Sequence, residues 1–150
     1  MVSTEGKKIK GKKREYVVDT IGNLHETAIH SANIADCEGG KLALEPIAVR
    51  QAAGKYPRLA VVMGDHAYGK GGFPEWVESN LSCTPDISTK DPNQHTFIPF
   101  PIRWVVEQTI ACLGRNRRLS KDYEYVNGSS EAILYIASIG RSLKRLRCKD

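Results

Sequence analysis

The sequence has no run of about 18 consecutive apolar residues, so it predicts no transmembrane helix. Its N-terminus is basic but carries no apolar stretch behind the basic residues, which excludes a secretory signal peptide. The four cysteines are far apart and form no CxxC pair, and this argues against a structural zinc site. The four histidines do not recur at metal-ligand spacing, and we expect His25 and His30 to be surface or packing residues. These absences predict a cytoplasmic protein without structural zinc.

Length and composition are ordinary for one globular domain with a proper core. The chain has 150 residues, of which 41% are hydrophobic and 26% charged. The net charge is +5, and lysine and arginine cluster near the two ends, in residues 1–14 and 141–149. Basic ends favour a polyanionic partner. Solvated tails that aid solubility are the alternative.

The hydrophobic pattern predicts an α/β layered domain behind a basic arm at residues 1–13. Two strands around a Gly-Asn turn, at 16–20 and 24–32, predict a β-hairpin. A helix is predicted from Gly40 to about Ala53, where Pro46 favours a split or a kink. The apolar run 59–63 predicts a strand buried on both faces. A short helix at 74–81, a strand at 83–88, a loop at 89–101 and helices at 102–115 and 129–146 follow.

Asp65 lies at the carboxyl end of the predicted strand 59–63, separated from it by Gly64, in a glycine-rich loop. Ligands of open α/β sheets bind at the carboxyl ends of strands, so this carboxylate is a candidate metal ligand. The alternative is an acid that caps the backbone of its own loop.

Glu107 is the single acid in the stretch RWVVEQTIACLGRNRRLSK, residues 103–121. It lies in a predicted amphipathic helix, among apolar residues where a carboxylate is costly to keep charged unless it is neutralised. Basic residues surround it at Arg103, Arg115, Arg117, Arg118 and Lys121. A metal-held acid beside a phosphate-binding surface would explain this pattern. An ordinary ion pair between Glu107 and Arg103 is the alternative.

Two carboxylates together supply the hard oxygen ligands that Mg²⁺ or Mn²⁺ prefers. Enzymes that cut or join phosphodiesters often use such ions, and their sites usually hold at least three carboxylates. Asp65 and Glu107 are therefore candidates for two ligands of such a site.

Four segments resemble the C-terminal half of bacterial insertion-sequence transposases of the DDE type, which have an RNase H-like core. They are GKKIKGKKREYVVDTIG, ANIADCEGGKLAL, LAVVMGDHAYGK and the long stretch from Phe100 to Leu146. The third is similar to the family's strand that ends in Asp, with Tyr three positions later. The fourth is similar to the segment around the family's catalytic Glu, but Phe100 stands where Tyr is frequent and Gly114 where the wider pattern has Lys.

The resemblance implies that Asp65 is the second and Glu107 the third acid of the family's triad. It implies a partial RNase H-like domain at 14–150, a mixed sheet flanked by helices with its first core strand missing. That strand carries the family's first Asp. Asp19, considered as its substitute, corresponds to a structural position on the second strand. The implied cofactor is Mg²⁺ or Mn²⁺.

Three functions are compatible with these expectations. The first is the C-terminal part of a DDE transposase, which cleaves and joins DNA but is inactive without the first Asp. Its partners would be transposon ends and target DNA, with phosphate contacts from Arg103, Arg115, Arg117, Arg118 and Lys121. An upstream transposase segment or a second copy would complete it. The second is a non-catalytic DNA-binding fragment that modulates full-length transposase, and the third an unrelated metal-dependent nuclease.

Overall fold

A computed structural model describes residues 11–88 and 103–147. The described residues form two small sheets and four α-helices. The elements are β1 (Lys12–Val18), β2 (Leu24–Ser31), α1 (Asp36–Ala52), β3 (Val61–Gly64), α2 (Phe73–Asn80), β4 (Thr84–Ile87), α3 (Arg103–Gly114) and α4 (Asn127–Arg147). Short 3₁₀ turns lie at His66–Gly69 and Arg117–Leu119. The predicted α/β class is confirmed.

The hairpin is the central element. Strand β1 pairs antiparallel with β2 in a register that sets Glu15 opposite Ala28 and Tyr16 opposite Thr27, with an irregularity after Val17. Because successive side chains of a strand point to opposite faces, the hairpin has two distinct faces. Strand β1 begins at Lys12, so the sheet includes two residues that the sequence assigns to the basic arm.

Each face of the hairpin supports its own hydrophobic cluster. The first cluster packs α1, α2 and the β3–β4 pair together through Cys37, Leu44, Ile47, Phe73, Val77 and Leu81, and Val17 of β1 packs against it. The second joins β2 to α3, α4 and the turn at 117–119 through Ile29, Leu113, Leu119 and Leu134, and Tyr16 packs against it. The hairpin is thus a middle layer between two helical layers.

The outer edge of β2 is covered by side chains of α4. Glu131 accepts from the Ile29 backbone N–H at 3.1 Å, and Asn127 Nδ2 donates to the Ile29 carbonyl at 2.9 Å. The Tyr135 hydroxyl accepts from the Thr27 N–H at 3.3 Å and donates to Glu26 Oε2 at 2.7 Å. Burial and the bond to Glu26 raise the pKa of Tyr135 to about 12. Helix α4 therefore closes an edge that would otherwise be open to a further strand.

The second sheet differs from its prediction. Strand β3 pairs in parallel with β4, setting Met63 beside Asp86, and this pair is separate from the hairpin within the described residues. The single mixed sheet expected from the sequence is therefore not observed. The prediction of a strand buried on both faces is also wrong, because Val61 is 43% and Met63 50% exposed. Val62 packs against the first cluster, so only one face is covered.

Helix α1 begins at Asp36, four residues before its predicted start, and passes through Pro46 without a break. Acidic residues in the first turn, Asp36 and Glu38, favour this start because they face the positive end of the helix dipole. The hairpin, α2, β4, α3 and α4 agree with the predicted elements to within a few residues. The predicted loop 89–101 lies outside the described residues.

Gly39 allows α1 to approach the hairpin closely. A Cβ at this position would lie 2.2 Å from His30 Nε2 and 2.9 Å from Glu15 Oε1. A glycine in a helix is ordinarily less stable than alanine by roughly 0.5–1 kcal/mol, but here the space is occupied.

We expect Gly39→Ala to lower the free energy of unfolding by about 1–3 kcal/mol, because the added methyl overpacks the contact between α1 and the hairpin. Urea denaturation measures the change. Gly140→Ala is the matched control: it lies inside α4, where a Cβ would meet nothing within 4 Å, and it should leave stability unchanged or raised. Equal behaviour of the two variants would contradict the predicted clash.

Candidate active site

Asp65 lies at the carboxyl end of β3, as predicted, and it is exposed. Its Oδ1 accepts the Ala67 backbone N–H at 2.9 Å and so caps the 3₁₀ turn His66–Gly69. Its Oδ2 has no hydrogen-bond partner among the described residues. One oxygen therefore holds the loop, and the other is free to meet a ligand from solvent. The cap and the candidate ligand role are compatible in this geometry.

The loop behind Asp65 is tied to β1 through a buried carboxylate. Tyr68, three residues after Asp65, donates its hydroxyl proton to Glu15 Oε2 at 2.5 Å. Glu15 is 8% exposed and His30 is 5% exposed. Glu15 Oε1 lies 3.3 Å from His30 Nε2. Burial and the adjacent Glu15 carboxylate raise the pKa of Tyr68. We call Glu15, His30 and Tyr68 the carboxylate cluster.

The carboxylate cluster orients the loop because each member is held on a different element. Glu15 lies on β1, His30 on β2 and Tyr68 in the 3₁₀ turn. His30 Nδ1 lies 3.0 Å from the Ser31 carbonyl oxygen, so both ring nitrogens have polar neighbours. The sequence predicted His30 as a surface or packing residue, and the structure buries it. The sequence did not single out Glu15. A charged residue in the middle of the strand KKREYVV was the available signal.

Glu107 lies on α3 and is exposed, as are Trp104 at 57% and Ile110 at 41%. The expectation that apolar neighbours would bury this carboxylate is therefore wrong, since α3 turns that side of the helix to solvent. Among the residues with described side chains, Glu107 has no ion-pair partner. The alternative pairing with Arg103 involves a side chain outside the described part of the chain.

The opposite side of α3 is anchored at the hairpin turn. Thr109, which is 1% exposed, donates to the Gly22 carbonyl at 3.1 Å, and Arg141 of α4 donates to the same oxygen at 2.7 Å. Gly22 has φ +81°, and a Cβ there would lie 2.7 Å from Thr109 Oγ1. Residues two apart on a helix point in roughly opposite directions, so anchoring Thr109 inward turns Glu107 outward.

Asp19, the possible substitute ligand, is occupied by the hairpin turn. Its carboxylate accepts from the Ile21 N–H at 3.0 Å and from the Asn23 N–H at 2.8 Å, and it also contacts Asn23 Nδ2 and His25 Nε2. Partial burial raises the pKa of Asp19. The hydrogen bonds from Asn23, Ile21 and His25 lower it by a larger amount, so the pKa lies below its usual value. These contacts agree with the structural role expected for this position.

The predicted phosphate-binding residues follow α3 directly on an exposed segment. Arg115, Arg117, Arg118 and Lys121 are all exposed, while Leu119 between them is buried and fixes the 3₁₀ turn. Arg118 donates to the Glu124 carboxylate, so its charge is partly neutralised. Nearby, Lys12 and Arg14 of β1 lie 3.7 and 3.8 Å from Asp122. Arg115, Arg117 and Lys121 have no acidic partner among the described residues.

Asp65 and Glu107 have no hydrogen-bond partner in common. The main contacts of α3 are with β1, α4 and the turn at 117–119, whereas those of β3 are with β4 and the turn at 66–69. Over residues 11–88 and 103–147, no group of three or more His, Cys, Asp and Glu side chains is arranged to hold a metal ion. Two carboxylates offer the oxygen chemistry of a Mg²⁺ site, but the described residues do not complete one.

We expect Tyr68→Phe to lower the free energy of unfolding by about 1–3 kcal/mol, because the buried Glu15 oxygen loses its hydroxyl donor. Chemical denaturation with far-UV circular dichroism measures the difference. Tyr125→Phe is the control, since Tyr125 is 98% exposed and should change stability by less than about 0.5 kcal/mol. A Tyr68→Phe variant as stable as the control would show that the hydrogen bond does not hold the loop.

Comparison with known proteins identifies the family. No helix among the described residues is long and apolar enough to cross a membrane. A family model described as the transposase DDE domain matches residues 2–139. Neither a curated protein nor a solved structure gives a match. Because the match covers nearly the whole sequence, this chain belongs to the transposase DDE domain family.

Proposed function

We propose that this chain is the C-terminal part of a bacterial insertion-sequence DDE transposase with an RNase H-like core, and that Asp65 and Glu107 are two of its three catalytic acids. Membership of the transposase DDE domain family is the observation that carries this proposal. The reaction is metal-dependent DNA cleavage and strand transfer, and the partners are transposon ends and target DNA. As part of the same proposal, we place the protein in the cytoplasm.

The positions of the two acids support their assignment. Asp65 ends a strand of a parallel pair and keeps one carboxylate oxygen without a hydrogen-bond partner among the described residues. Glu107 projects from α3 on the side opposite its anchor, Thr109. Neither carboxylate is used by a buried ion pair, in contrast to Glu15 and Glu26. A surface acid with an oxygen outside any ion pair is available to bind a ligand.

A third acid is required, and we propose that a strand from an upstream transposase segment or a partner chain supplies it. Two carboxylates would hold Mg²⁺ or Mn²⁺ weakly, and the third would complete the oxygen ligands. The edges of the hairpin favour one place for this strand. Side chains of α4 occupy the outer edge of β2, whereas β1 pairs with β2 alone among the described strands. The free edge of β1 is therefore the place where we put the added strand.

In the complete site, the metal would stabilise charge on the phosphodiester oxygens. The chain's own residues then have separate roles. Asp65 and Glu107 contribute negative charge and oxygen ligands, and the carboxylate cluster of Glu15, His30 and Tyr68 keeps the Asp65 loop in place. Arg115, Arg117 and Lys121 attract the DNA backbone without reading its sequence.

The catalytic assignment is tested in a transposase completed with an upstream segment that carries the first Asp. We expect Asp65→Asn and Glu107→Gln each to reduce Mg²⁺-dependent cleavage of transposon ends by at least about 100-fold, because a metal ligand is lost. Asp86→Asn and Glu45→Gln are matched controls, since both acids are exposed and should leave cleavage unchanged.

A second readout separates metal binding from structure. Activity of Asp65→Cys should be restored by Mn²⁺ in preference to Mg²⁺, because a thiolate is a softer ligand than a carboxylate. Full cleavage by both Asp65→Asn and Glu107→Gln would refute the assignment. Robust cleavage by the 150 residues alone would instead refute the need for a third acid.

The basic segment, residues 115–121 after α3, is tested by the salt dependence of DNA binding. We expect Arg117→Ala and Lys121→Ala each to reduce the slope of log association constant against log salt by about 0.9, because each removes one phosphate contact. Arg118→Ala should change it less, since its guanidinium is paired with Glu124. Fluorescence anisotropy with a duplex of arbitrary sequence measures these slopes.

Arg58→Ala and Lys55→Ala are the matched controls, because both residues are exposed and remote in sequence from the basic segment. Equal slopes for all variants would exclude the segment as a DNA contact. Salt-dependent binding that survives Asp65→Ala plus Glu107→Ala, without cleavage in the completed enzyme, would favour the second function. In that case the chain is a non-catalytic DNA-binding fragment that modulates full-length transposase.

A further inference from the structure

Helix α4 has a second apolar face that is largely exposed in the described part of the chain. Its inward face carries Leu134 at 0% exposure and Ser130 at 2%. The other face carries Ile136 at 67%, Ile139 at 59%, Leu143 at 61% and Leu146 at 64%. Ala132 is exposed on the same side one turn earlier. We call Ala132, Ile136, Ile139, Leu143 and Leu146 the apolar stripe.

The spacing of the apolar stripe is that of a coiled-coil seam. The intervals between its members alternate between four and three residues, which is the a/d pattern of a heptad repeat. In this frame, Leu134 and Arg141 occupy f positions, opposite the seam, and both face the rest of the protein. One helix thus satisfies two sets of contacts, with the fold on one side and a free seam on the other.

We propose that the apolar stripe is a dimer interface, in which α4 of one chain pairs antiparallel with α4 of a second copy. In an antiparallel pair, a positions of one helix lie level with d positions of the other. Ile136 then meets Ile139 of the second copy, and Ala132 meets Leu143. The same five side chains complement themselves, as an isologous two-fold interface requires.

Charge determines the antiparallel direction. The basic residues of α4 lie in its C-terminal half, with Lys144, Arg145 and Arg147 in the last turn and no acid in the first. A parallel pair would bring the two basic turns together, at a cost from like-charge repulsion. In the antiparallel pair, each basic turn lies beside the first turn of the other helix, and the helix dipoles oppose each other favourably.

The exposed area is sufficient for a specific contact. The four large members expose roughly 100 Å² of apolar surface each. With Ala132 and the flanking residues, the symmetric pair buries on the order of 1,000 Å² in total, which is the lower limit of stable interfaces. A helix of 21 residues is also long enough to present three heptads. This interface is independent of the metal ligands proposed above.

Sedimentation velocity of the 150-residue chain between 1 and about 100 μM tests association. We expect a concentration-dependent dimer, and we expect Ile139→Asp to raise the dissociation constant at least about 30-fold, because it puts two like charges at the centre of the seam. Val49→Asp is the matched control: Val49 is 67% exposed on α1 and should leave the dissociation constant unchanged. Circular dichroism establishes that each variant is folded.

Mixed variants test the direction of pairing. Ala132→Glu and Leu143→Lys should each weaken self-association, and mixing the two should restore a heterodimer, because the antiparallel seam sets position 132 against position 143 of the other chain. A parallel in-register pair cannot bring these positions together, so failure to restore the dimer would overturn the antiparallel assignment. A wild-type chain that is monomeric at about 100 μM would overturn the dimer, and the stripe would then belong to another transposase segment.

Discussion

The rest of the structure depends on the antiparallel pairing of β1 with β2, because each of the two faces of this hairpin packs against one hydrophobic cluster. Alternate side chains send Val17 toward α1, α2 and the parallel pair, and Tyr16 toward α3 and α4. The two clusters share no residues, and the hairpin packs against both. The hairpin turn is held by the second layer as well. The carbonyl oxygen of Gly22, a residue with positive φ, accepts hydrogen bonds from Thr109 of α3 and Arg141 of α4.

The carboxylates of this protein divide into buried ones, which bind groups from other elements, and exposed ones. Glu15 accepts from Tyr68 and contacts His30, and Glu26 accepts from Arg50 and Tyr135, so both buried carboxylates are satisfied by groups from other elements. Asp65 and Glu107 have the opposite character, since they are exposed and make no ion pair among the described residues. This division leaves both carboxylates accessible from solvent, as their proposed ligand role requires.

Much of the fold follows from pattern. The Gly-Asn turn between two alternating segments predicts the hairpin, and the long amphipathic periods predict α3 and α4 within a few residues. Other features could not be obtained this way. The run 59–63 has the composition of a fully buried strand, yet a two-stranded sheet gives it only one covered face, and Val61 and Met63 are exposed. Apolar neighbours in α3 suggest a buried Glu107, but which side of a helix faces the core depends on its anchor, here Thr109.

The sequence by itself determined the α/β class, the position of Asp65 at a strand end and the basic segment after α3, because these depend on local periodicity and on residue order. Only the tertiary structure decided that Glu15 holds the loop behind Asp65, since its partners Tyr68 and His30 come from other elements. The same holds for α4, whose apolar residues form two opposed faces. Periodicity shows that both faces exist, but contact with β2 decides which one is used by the fold and which one remains exposed.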